Sequence, residues 1–371
     1  MVEKVKIHTL FQYLLETTDA SPEAFLGFSL AQPPTLGAYL NDLDPDLPLD
    51  WNGQSFRGLP KLVDHILRQA NLDLPHDSLL VTAGAAEANY LAFQQLVRPG
   101  NRVVTETPGW PQIDVLGQAI GAKMVHVTRR AEDAWAFPMA AFKKAVTKTT
   151  QLVFLTNPNN PTGKLLTEDE LTEIVSICRA ADAWLVVDEV YAGLEWTGPR
   201  PPSIAGLYEK GITTGSVSKA LGLQGLRTGW LICPDPDMVM DAVILRENSS
   251  EIMNILGEHI AEIALRPGRY DAALRSTRAD AKQTLNKLDS YISAQSRLSW
   301  HRPEAGLIGL AHVTGEDGDT LARNLLADPY RTFLLPGSSY GVTDHIRLGV
   351  GGGTAANLDL GLTRLADYLG T

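Results

Sequence analysis

Short apolar segments with strand character alternate with amphipathic segments with helix character through the middle of this chain. The strand-like segments occupy residues 79–82, 101–105, 151–156, 184–187, 212–216 and 226–233. Residues 85–96 and 166–183 are predicted helices, and Thr167 and Glu170 have the spacing of a capping box at the start of the second. Strands separated by helices form βαβ units, so we predict an α/β fold with a mostly parallel sheet.

The two ends of the chain differ from this middle region. A long helical stretch is predicted from about Pro236 into the 280s, followed by short strand-like pieces and a closing helix near residues 355–369. No low-complexity segment separates autonomous domains. We therefore predict a large domain over residues 36–265, a smaller α+β domain over 266–371, and an N-terminal segment, 1–35, that joins the smaller domain.

Charge and cysteine content limit the classes of function. The 371 residues carry a net charge of −11, and an acidic surface repels nucleic-acid phosphates and anionic lipid. Cys178 and Cys233 stand alone, without the spacing of a zinc or redox site, so no metal is predicted. No segment approaches the roughly 18 apolar residues of a membrane span, and residues 1–18 lack the apolar core of a signal peptide. We expect a cytoplasmic protein without nucleic-acid or membrane partners.

Chemically active residues follow the predicted strands. In open α/β sheets, ligands bind beyond the carboxyl ends of the strands, so residues there are expected to share one crevice. The residues that follow these strands are Gly84–Ala85–Ala86–Glu87 at a helix start, Trp110, the segment 157–163 (NPNNPTG) with Asn160, then Asp188 and Tyr191, then Ser216, Ser218 and Lys219, and finally Arg227. An acid, a lysine, an arginine, an anion-binding helix start and an indole therefore converge.

That set matches the requirements of pyridoxal 5′-phosphate. Lys219 can form a Schiff base with the cofactor aldehyde and then carry the proton. Asp188 closes an apolar strand, where an unpaired acid is costly to bury, and a protonated pyridine nitrogen is a suitable partner. Tyr191 and Asn160 can hydrogen-bond the phenolic oxygen of the ring, and Trp110 offers a flat face for stacking.

The phosphate requires fixed donors and a cation. The backbone N–H groups of Ala85, Ala86 and Glu87 at the predicted helix start, the Ser216 hydroxyl and Arg227 are predicted to supply them. Ser218, adjacent to the lysine, is assigned to the same cofactor-binding set.

The chain resembles the class I/II aminotransferases, which are fold type I pyridoxal-phosphate enzymes. The matching pieces, in the order of the family, are 84–88 (GAAEA), 157–163, 188–191 (DEVY), 216–229 (SVSKALGLQGLRTG), 335–337 (LPG) and 345–349 (HIRLG). The resemblance implies a large domain with a seven-stranded sheet between helices, and a homodimer with active sites at the subunit interface. It also implies that Arg347 clamps the substrate α-carboxylate, with Asn160 and Trp110 beside it.

Three positions depart from the pattern of the family. The tyrosine that usually precedes the glycine at Gly58 is missing, and Trp51, Phe56 or the cationic Arg57 are the candidates to replace it. Ala85 and Ala86 stand where a hydroxyl is common. The usual glycine-containing substrate strand near the N-terminus is absent, and residues 29–33 are its nearest equivalent.

Three functions remain open at this point. The first is an aminotransferase that moves an amino group from an L-amino acid to a 2-oxo acid by a ping-pong reaction. The second is a lyase, cyclase or oxidase that uses the same cofactor, because a fold does not determine the reaction. The third, a non-enzymatic regulator domain, is disfavoured because it needs a DNA-binding domain ahead of the fold and the chain is acidic.

Overall fold

The computed structural model describes residues 4–18, 20–50, 56–351 and 353–370. The α-helices, numbered along the chain, are α1 Thr9–Thr18, α2 Pro60–Gln69, α3 Ala85–Leu96, α4 Gln112–Ile120, α5 Met139–Ala145, α6 Glu168–Ala181, α7 Pro236–Glu247, α8 Ile255–Leu265, α9 Pro267–Ala294, α10 Gly318–Leu326 and α11 Ala355–Leu369. The strands are β1 Ala24–Phe25, β2 Leu79–Thr82, β3 Arg102–Thr107, β4 Lys123–Thr128, β5 Thr150–Thr156, β6 Trp184–Asp188, β7 Gly211–Ser216, β8 Gly229–Ile232, β9 Leu298–Trp300, β10 Ile308–Val313, β11 Thr332–Phe333, β12 Leu335–Pro336 and β13 His345–Gly349.

Seven strands form one sheet in the order β2-β8-β7-β6-β5-β3-β4. Strands β4, β3, β5, β6 and β7 pair in parallel, and β8 is antiparallel to both of its neighbours. The predicted fold class is therefore confirmed, with β8 as the reversed strand. Because the carboxyl ends of the parallel strands lie at one edge of the sheet, the polar residues that follow them are brought together.

Both faces of the sheet are covered by helices, which explains why its central strands are apolar throughout. On β5, Leu152 and Phe154 belong to the core beneath α3 and α7, whereas Val153 and Leu155 belong to the core beneath α6. Successive side chains of a strand point to opposite faces, so a strand covered on both faces has no polar side to alternate with.

Two predicted elements are wrong in extent. The strand expected over 226–233 begins only at Gly229, because Gln224–Leu226 forms a 3-10 helix and Arg227 adopts a left-handed backbone with φ +53°. The helix expected from Pro236 into the 280s is three helices, α7, α8 and α9. Asn254 caps α8 by accepting from the Gly257 N–H, and α9 begins at Pro267, whose ring disfavours a helical residue before it.

A smaller four-stranded antiparallel sheet, in the order β12-β13-β10-β9, lies in the C-terminal part of the chain beside α9 and α10, and α11 packs against β1 and β11. The N-terminal segment joins this part, because β1 pairs in parallel with β11. The domain limits 36–265 and 266–371 stay a prediction. Among the residues described, no helix combines the length and apolar character that crossing a membrane requires.

Candidate active site

A cavity of about 320 Å³ opens at the carboxyl edge of the large sheet and is closed from the other side by α1 and the smaller sheet. It is lined by most of the residues selected from the sequence, namely Ala85, Ala86, Trp110, Asn160, Asp188, Tyr191, Ser216, Ser218, Lys219, Arg227 and Arg347. Of the predicted set, Glu87 does not line it. The lining also includes Ser29, the first residue of the segment 29–33, and Asn89, which the sequence-based site prediction did not include.

Asp188 is the last residue of β6 and is only 5% exposed. Its Oδ2 accepts a hydrogen bond from Asn89 Nδ2 at 2.8 Å, and its Oδ1 accepts one from the Val190 N–H at 3.1 Å. Burial raises the pKa of this carboxyl above its ordinary value, although both hydrogen bonds and the charge of Lys219 oppose the rise. Among the described residues no cation lies within ion-pair distance of Asp188, so the carboxylate is held in place but not neutralised.

Asn89 lies on the buried face of α3 and links two neighbouring strands. Its Oδ1 accepts from the hydroxyl of Thr214 on β7 at 2.7 Å, while its amide group donates to Asp188 on β6. The sequence signal for this residue was an amide side chain on the otherwise apolar helix face that includes Ala88 and Ala92. A buried amide needs partners, and these two strand ends provide them.

Lys219 and Tyr191 converge on one serine. The Tyr191 hydroxyl donates to Ser29 Oγ at 3.0 Å, and Lys219 Nζ lies 3.5 Å from the same oxygen and 5.7 Å from the centre of the tyrosine ring. The Ala31 N–H donates to the Lys219 carbonyl at 3.0 Å, which fixes residues 29–31 against the lysine. The segment 29–33, expected as the substrate strand, therefore begins inside the cavity.

The start of α3 and Arg227 form the cationic end of the cavity. Gly84 precedes the helix with φ +85°, and a Cβ at this position would lie 2.4 Å from Arg227 Nη2. Arg227 is held by the carbonyls of Ala83 and Gln224, at 3.3 and 3.1 Å. The first N–H groups of a helix have no partner within the helix, so Ala85 and Ala86 present donors beside a guanidinium.

Glu87 is turned away from this end. Its N–H donates to the Gly84 carbonyl, and its carboxylate accepts from the Ala83 N–H and from the Ser250 hydroxyl. That its backbone supplies a phosphate donor stays a prediction, and in this structure that N–H is bonded within the first turn of α3. Ser216 and Ser218 line the cavity, and the Ser216 oxygen accepts from the Ser218 N–H at 3.3 Å.

Arg347 is a buried arginine, 5% exposed, on β13 of the smaller sheet. Its Nη1 donates to Tyr340 Oη at 2.7 Å and to Asn160 Oδ1 at 3.2 Å, and its Nη2 donates to the Gly27 carbonyl at 2.8 Å. Its Nε is buried with no hydrogen-bond partner among the described residues. None of these partners is a carboxylate, so the guanidinium is oriented while its charge stays available for an anion.

Asn160 is placed by a loop with extensive internal bonding. In this loop, residues 157–163, the Asn159 side chain bonds to Thr162 and to Thr156, and the Leu166 N–H donates to Asn157. Below it, Glu106 accepts from both the N–H and the hydroxyl of Thr156.

Trp110 also lines the cavity, and its Nε1 donates to Gln112 Oε1 at 3.1 Å. Of the candidates for the missing tyrosine, Trp51 lies outside the described residues. Phe56 is exposed, and its carbonyl accepts from Arg246. Arg57 does not line the cavity.

Three observations show that the residues lining the cavity fit pyridoxal phosphate. A buried carboxylate without an ion-pair partner, Asp188, suits a protonated ring nitrogen. Lys219 extends into the same cavity within reach of Ser29. The helix start at Ala85 and Ala86, beside Arg227, suits a phosphate.

The family model described as "Aminotransferase class I and II" matches residues 52–365. The chain therefore belongs to the class I and II aminotransferases, as its motifs predicted, and pyridoxal phosphate is the cofactor that this membership implies. The predictions of the family, of the cofactor and of a pyridoxal-phosphate-dependent aminotransferase are confirmed.

Curated relatives differ in their reactions. Capreomycidine synthase of Streptomyces vinaceus is 27% identical over 368 residues, which span 97% of this chain and 92% of that protein. Aspartate aminotransferase of Musicola paradisiaca is 29% identical over 277 residues, 71% of this chain and 66% of that protein. Arginine–pyruvate transaminase of Pseudomonas aeruginosa is 25% identical over 78% of this chain and 74% of that protein.

Solved structures agree on the fold. A PLP-dependent aminotransferase from Streptococcus suis superposes with a TM-score of 0.90 at 23% identity, covering 99% of this chain and 98% of that one. The PLP-dependent cyclase OrfR superposes with a TM-score of 0.89 at 23% identity and the same coverage. Aminotransferases and cyclases therefore share this architecture, and the fold does not separate the two reactions.

Proposed function

We propose that this chain transfers an amino group from an L-amino acid to a 2-oxo acid in two half-reactions, with Lys219 as the Schiff-base lysine and the proton carrier. The observation that carries the proposal is the convergence of Lys219, the unneutralised Asp188 and the buried Arg347 on one cavity. Bound pyridoxal phosphate supplies an aldehyde that condenses with amines and a ring that accepts electrons.

Asp188 has the role of keeping the ring nitrogen protonated. Its burial disfavours the ionised carboxylate in isolation, so a cationic partner is favoured at this position. Asn89 and the Val190 N–H hold both carboxylate oxygens in place and oppose protonation of the acid. Asp188 therefore keeps the ring able to accept electrons. Asn89 is a positioning residue, because it acts on the ring only through Asp188.

Lys219 moves the proton. Nζ lies beside Ser29 and above the face of Tyr191, so the amine has polar neighbours inside the cavity once it is released. Tyr191, with Asn160, is assigned to the phenolic oxygen of the ring. Ala85, Ala86, Ser216, Ser218 and Arg227 are assigned to the phosphate end, and Trp110 to the face of the ring.

Arg347 holds the α-carboxylate of the substrate. Tyr340 and the Gly27 carbonyl fix the orientation of the guanidinium plane, and a carboxylate would add the charge partner that its present contacts lack. Asn160 contacts Arg347 directly, so the loop of residues 157–163 and the smaller sheet meet at the substrate.

The deciding experiment follows the absorption spectrum of the holoenzyme during titration with single amino acids, without any oxo acid. Amino transfer predicts that one donor abolishes the visible absorption, that one equivalent of 2-oxo acid is released per site, and that an added oxo acid restores the spectrum. If no amino acid changes the spectrum, amino transfer is refuted. If no visible absorption band appears when pyridoxal phosphate is added to the protein, the assignment of Lys219 is refuted.

A second candidate is a cyclase, lyase or oxidase reaction on an amino acid. The similarity to capreomycidine synthase, which extends over 97% of this chain, favours it. That reaction predicts recovery of the original spectrum without an acceptor, together with release of ammonia or a cyclic product, or with consumption of oxygen.

The assembly and location of the protein are also part of the proposal. We infer a homodimer in a cytoplasmic setting, with a large domain over 36–265 and a smaller one over 266–371 that includes residues 1–35. The pairing of β1 with β11 and the start of α9 at Pro267 support these limits. Sedimentation analysis and limited proteolysis test the dimer and the domain limits.

A further inference from the structure

We propose that the substrate is an amino acid with a bulky apolar side chain, held by a wall of six residues opposite the cofactor end of the cavity. This inference rests on the proposed function, because it takes Arg347 as the anchor of the α-carboxylate. The wall, called here the apolar wall, consists of Leu10, Phe11, Leu14, Phe28, Phe333 and Leu335.

The apolar wall begins directly beside Arg347. Leu335 on β12 is the register partner of Arg347 on β13, and antiparallel partners place their side chains on the same face of a sheet about 5 Å apart. On the other side, the Gly27 carbonyl accepts from Arg347 Nη2, and Phe28 is the next residue. An amino acid anchored at Arg347 therefore has apolar surface on both sides of its Cα.

The wall then extends away from Arg347 through aromatic contacts. The rings of Phe28 and Phe333 lie 5.2 Å apart, centre to centre. Helix α1 adds Leu10, Phe11 and Leu14, three side chains on one helical face. Phe11 and Phe28 remain 50% and 37% exposed, so a bulky apolar side chain would cover ring surface that now faces water.

The charged residues of the cavity are already assigned. Among the described residues that line it, the charged side chains are Asp188, Lys219, Arg227 and Arg347. These serve the ring nitrogen, the Schiff base, the phosphate and the α-carboxylate. A second carboxylate or a guanidinium on the substrate would face the apolar wall without a partner among these described residues, and burying an unpaired charge is costly. The wall thus disfavours the acidic and basic amino acids whose names appear among the relatives.

The test uses acids that lack the amino group, which bind without reacting. Dissociation constants of 3-phenylpropanoate, succinate and 5-guanidinopentanoate are measured on the holoenzyme by calorimetry. We expect 3-phenylpropanoate to bind at least about tenfold more tightly than either charged acid, which is the lower end of the discrimination that one methylene gives in an apolar pocket. Equal affinities, or a preference for succinate or the guanidino acid, would overturn the proposal.

Two variants of α1 show whether the wall is responsible. Phe11→Ala removes a ring that lines the cavity, whereas Leu15→Ala removes a side chain that is 62% exposed on the same helix and does not line it. We expect Phe11→Ala to weaken 3-phenylpropanoate severalfold and to leave succinate unchanged, with Leu15→Ala like the parent. If the ratio of the affinities for 3-phenylpropanoate and succinate is the same in Phe11→Ala as in the parent, the apolar wall does not bind the side chain of the substrate.

A titration with four amino acids separates this inference from the proposed function. Phenylalanine, leucine, aspartate and arginine are each added to the holoenzyme while its visible spectrum is followed. Conversion by aspartate or arginine alone would overturn the apolar wall and retain amino transfer. A lack of conversion by any amino acid, with 3-phenylpropanoate still the tightest ligand, would refute amino transfer and support the apolar subsite.

Discussion

Asn89 Nδ2 lies 2.8 Å from Asp188 Oδ2 and joins α3 to β6, the central strand of the seven-stranded sheet. The amide oxygen of Asn89, Oδ1, accepts a hydrogen bond from the Thr214 hydroxyl on the neighbouring strand β7. Three elements thus fix the carboxylate that is assigned to the ring nitrogen, and the acid is not free to turn toward solvent. This arrangement makes Asn89 a test of how the site is organised.

Asn89→Ala is expected to lower the affinity for pyridoxal phosphate by about tenfold or more. The variant removes a hydrogen bond to an ionised group, worth roughly 1.5–3 kcal/mol, and lets the pKa of Asp188 rise further. Dissociation constants from fluorescence titration of the apoprotein measure the loss. Thr214→Val is the matched control, because it removes only the bond to Asn89 Oδ1, and a smaller effect is expected. Unchanged cofactor affinity in Asn89→Ala would contradict the role.

Lys219→Ala is expected to abolish turnover while the cofactor still binds. Loss of the proton carrier alone costs roughly 10²–10⁴-fold in rate, whereas the phosphate and ring contacts are left intact. Steady-state rates and cofactor content after gel filtration measure the two effects. Lys61→Ala, on the exposed face of α2, is the control and is expected to match the parent. Full activity in Lys219→Ala would rule out the assigned Schiff base.

Arg347→Lys is expected to lower kcat/KM by roughly 10- to 100-fold, mainly through KM. Lysine keeps the charge but cannot form two parallel hydrogen bonds to a carboxylate, nor hold Tyr340 and the Gly27 carbonyl together. Kinetics with an amino acid and with the matching primary amine separate the effects, since only the amino acid depends on the carboxylate. Arg331→Lys, in an exposed ion pair with Glu23, is the control. Equal losses for both substrates would place Arg347 outside the carboxylate site.

Glu258 is expected to make stability depend on pH. Burial raises the pKa of this carboxyl from its ordinary value of 4.5 to about 7, although the Leu59 N–H and the charge of Arg246 oppose the rise. The folded state therefore favours the protonated acid. The buried carboxyl leaves the free energy of unfolding unchanged below pH about 4.5 and lowers it as the pH rises toward 7. Above pH 7 the full loss is about 3 kcal/mol.

Glu258→Gln removes this titration and keeps an oxygen that can accept from the Leu59 N–H. Thermal unfolding of both proteins from pH 4 to pH 8.5 is the measurement. The variant is expected to gain stability over the parent as the pH rises. A constant difference between the two proteins across that range would show that Glu258 does not titrate there.

Much of the architecture and of the cofactor end could be predicted from local pattern. The bounds of α3 and α11 agree with the predicted residues 85–96 and 355–369, because apolar periodicity and the residues at the helix ends are local properties. The polar residues after the central strands also converge as expected. Parallel strands place their carboxyl ends at one edge, so the position along the chain implies the position in space.

Other elements escaped prediction because their signals are weak or not local. Strand β4 lies at the edge of the sheet and contains exposed Lys123 and His126, so it lacks the continuous apolar run of a central strand. The break between α7 and α8 lies at residues 248–254 and interrupts a stretch in which helix-forming residues continue on both sides. Helix propensity alone does not distinguish one long helix from three packed ones.

The sequence by itself determined the α/β class, the family and which polar residues meet in one cavity at the carboxyl edge of the sheet, because each of these depends on short motifs placed after strands. Only the tertiary structure decided which groups surround them. Ser29 meets Lys219 and Tyr191 across 190 and 162 residues of chain, and Tyr340 meets Arg347 through a turn between strands. The apolar wall is assembled from α1, residue 28 and the short strands β11 and β12. No local pattern relates these segments, because only packing of the N-terminal segment against the smaller sheet brings them into contact.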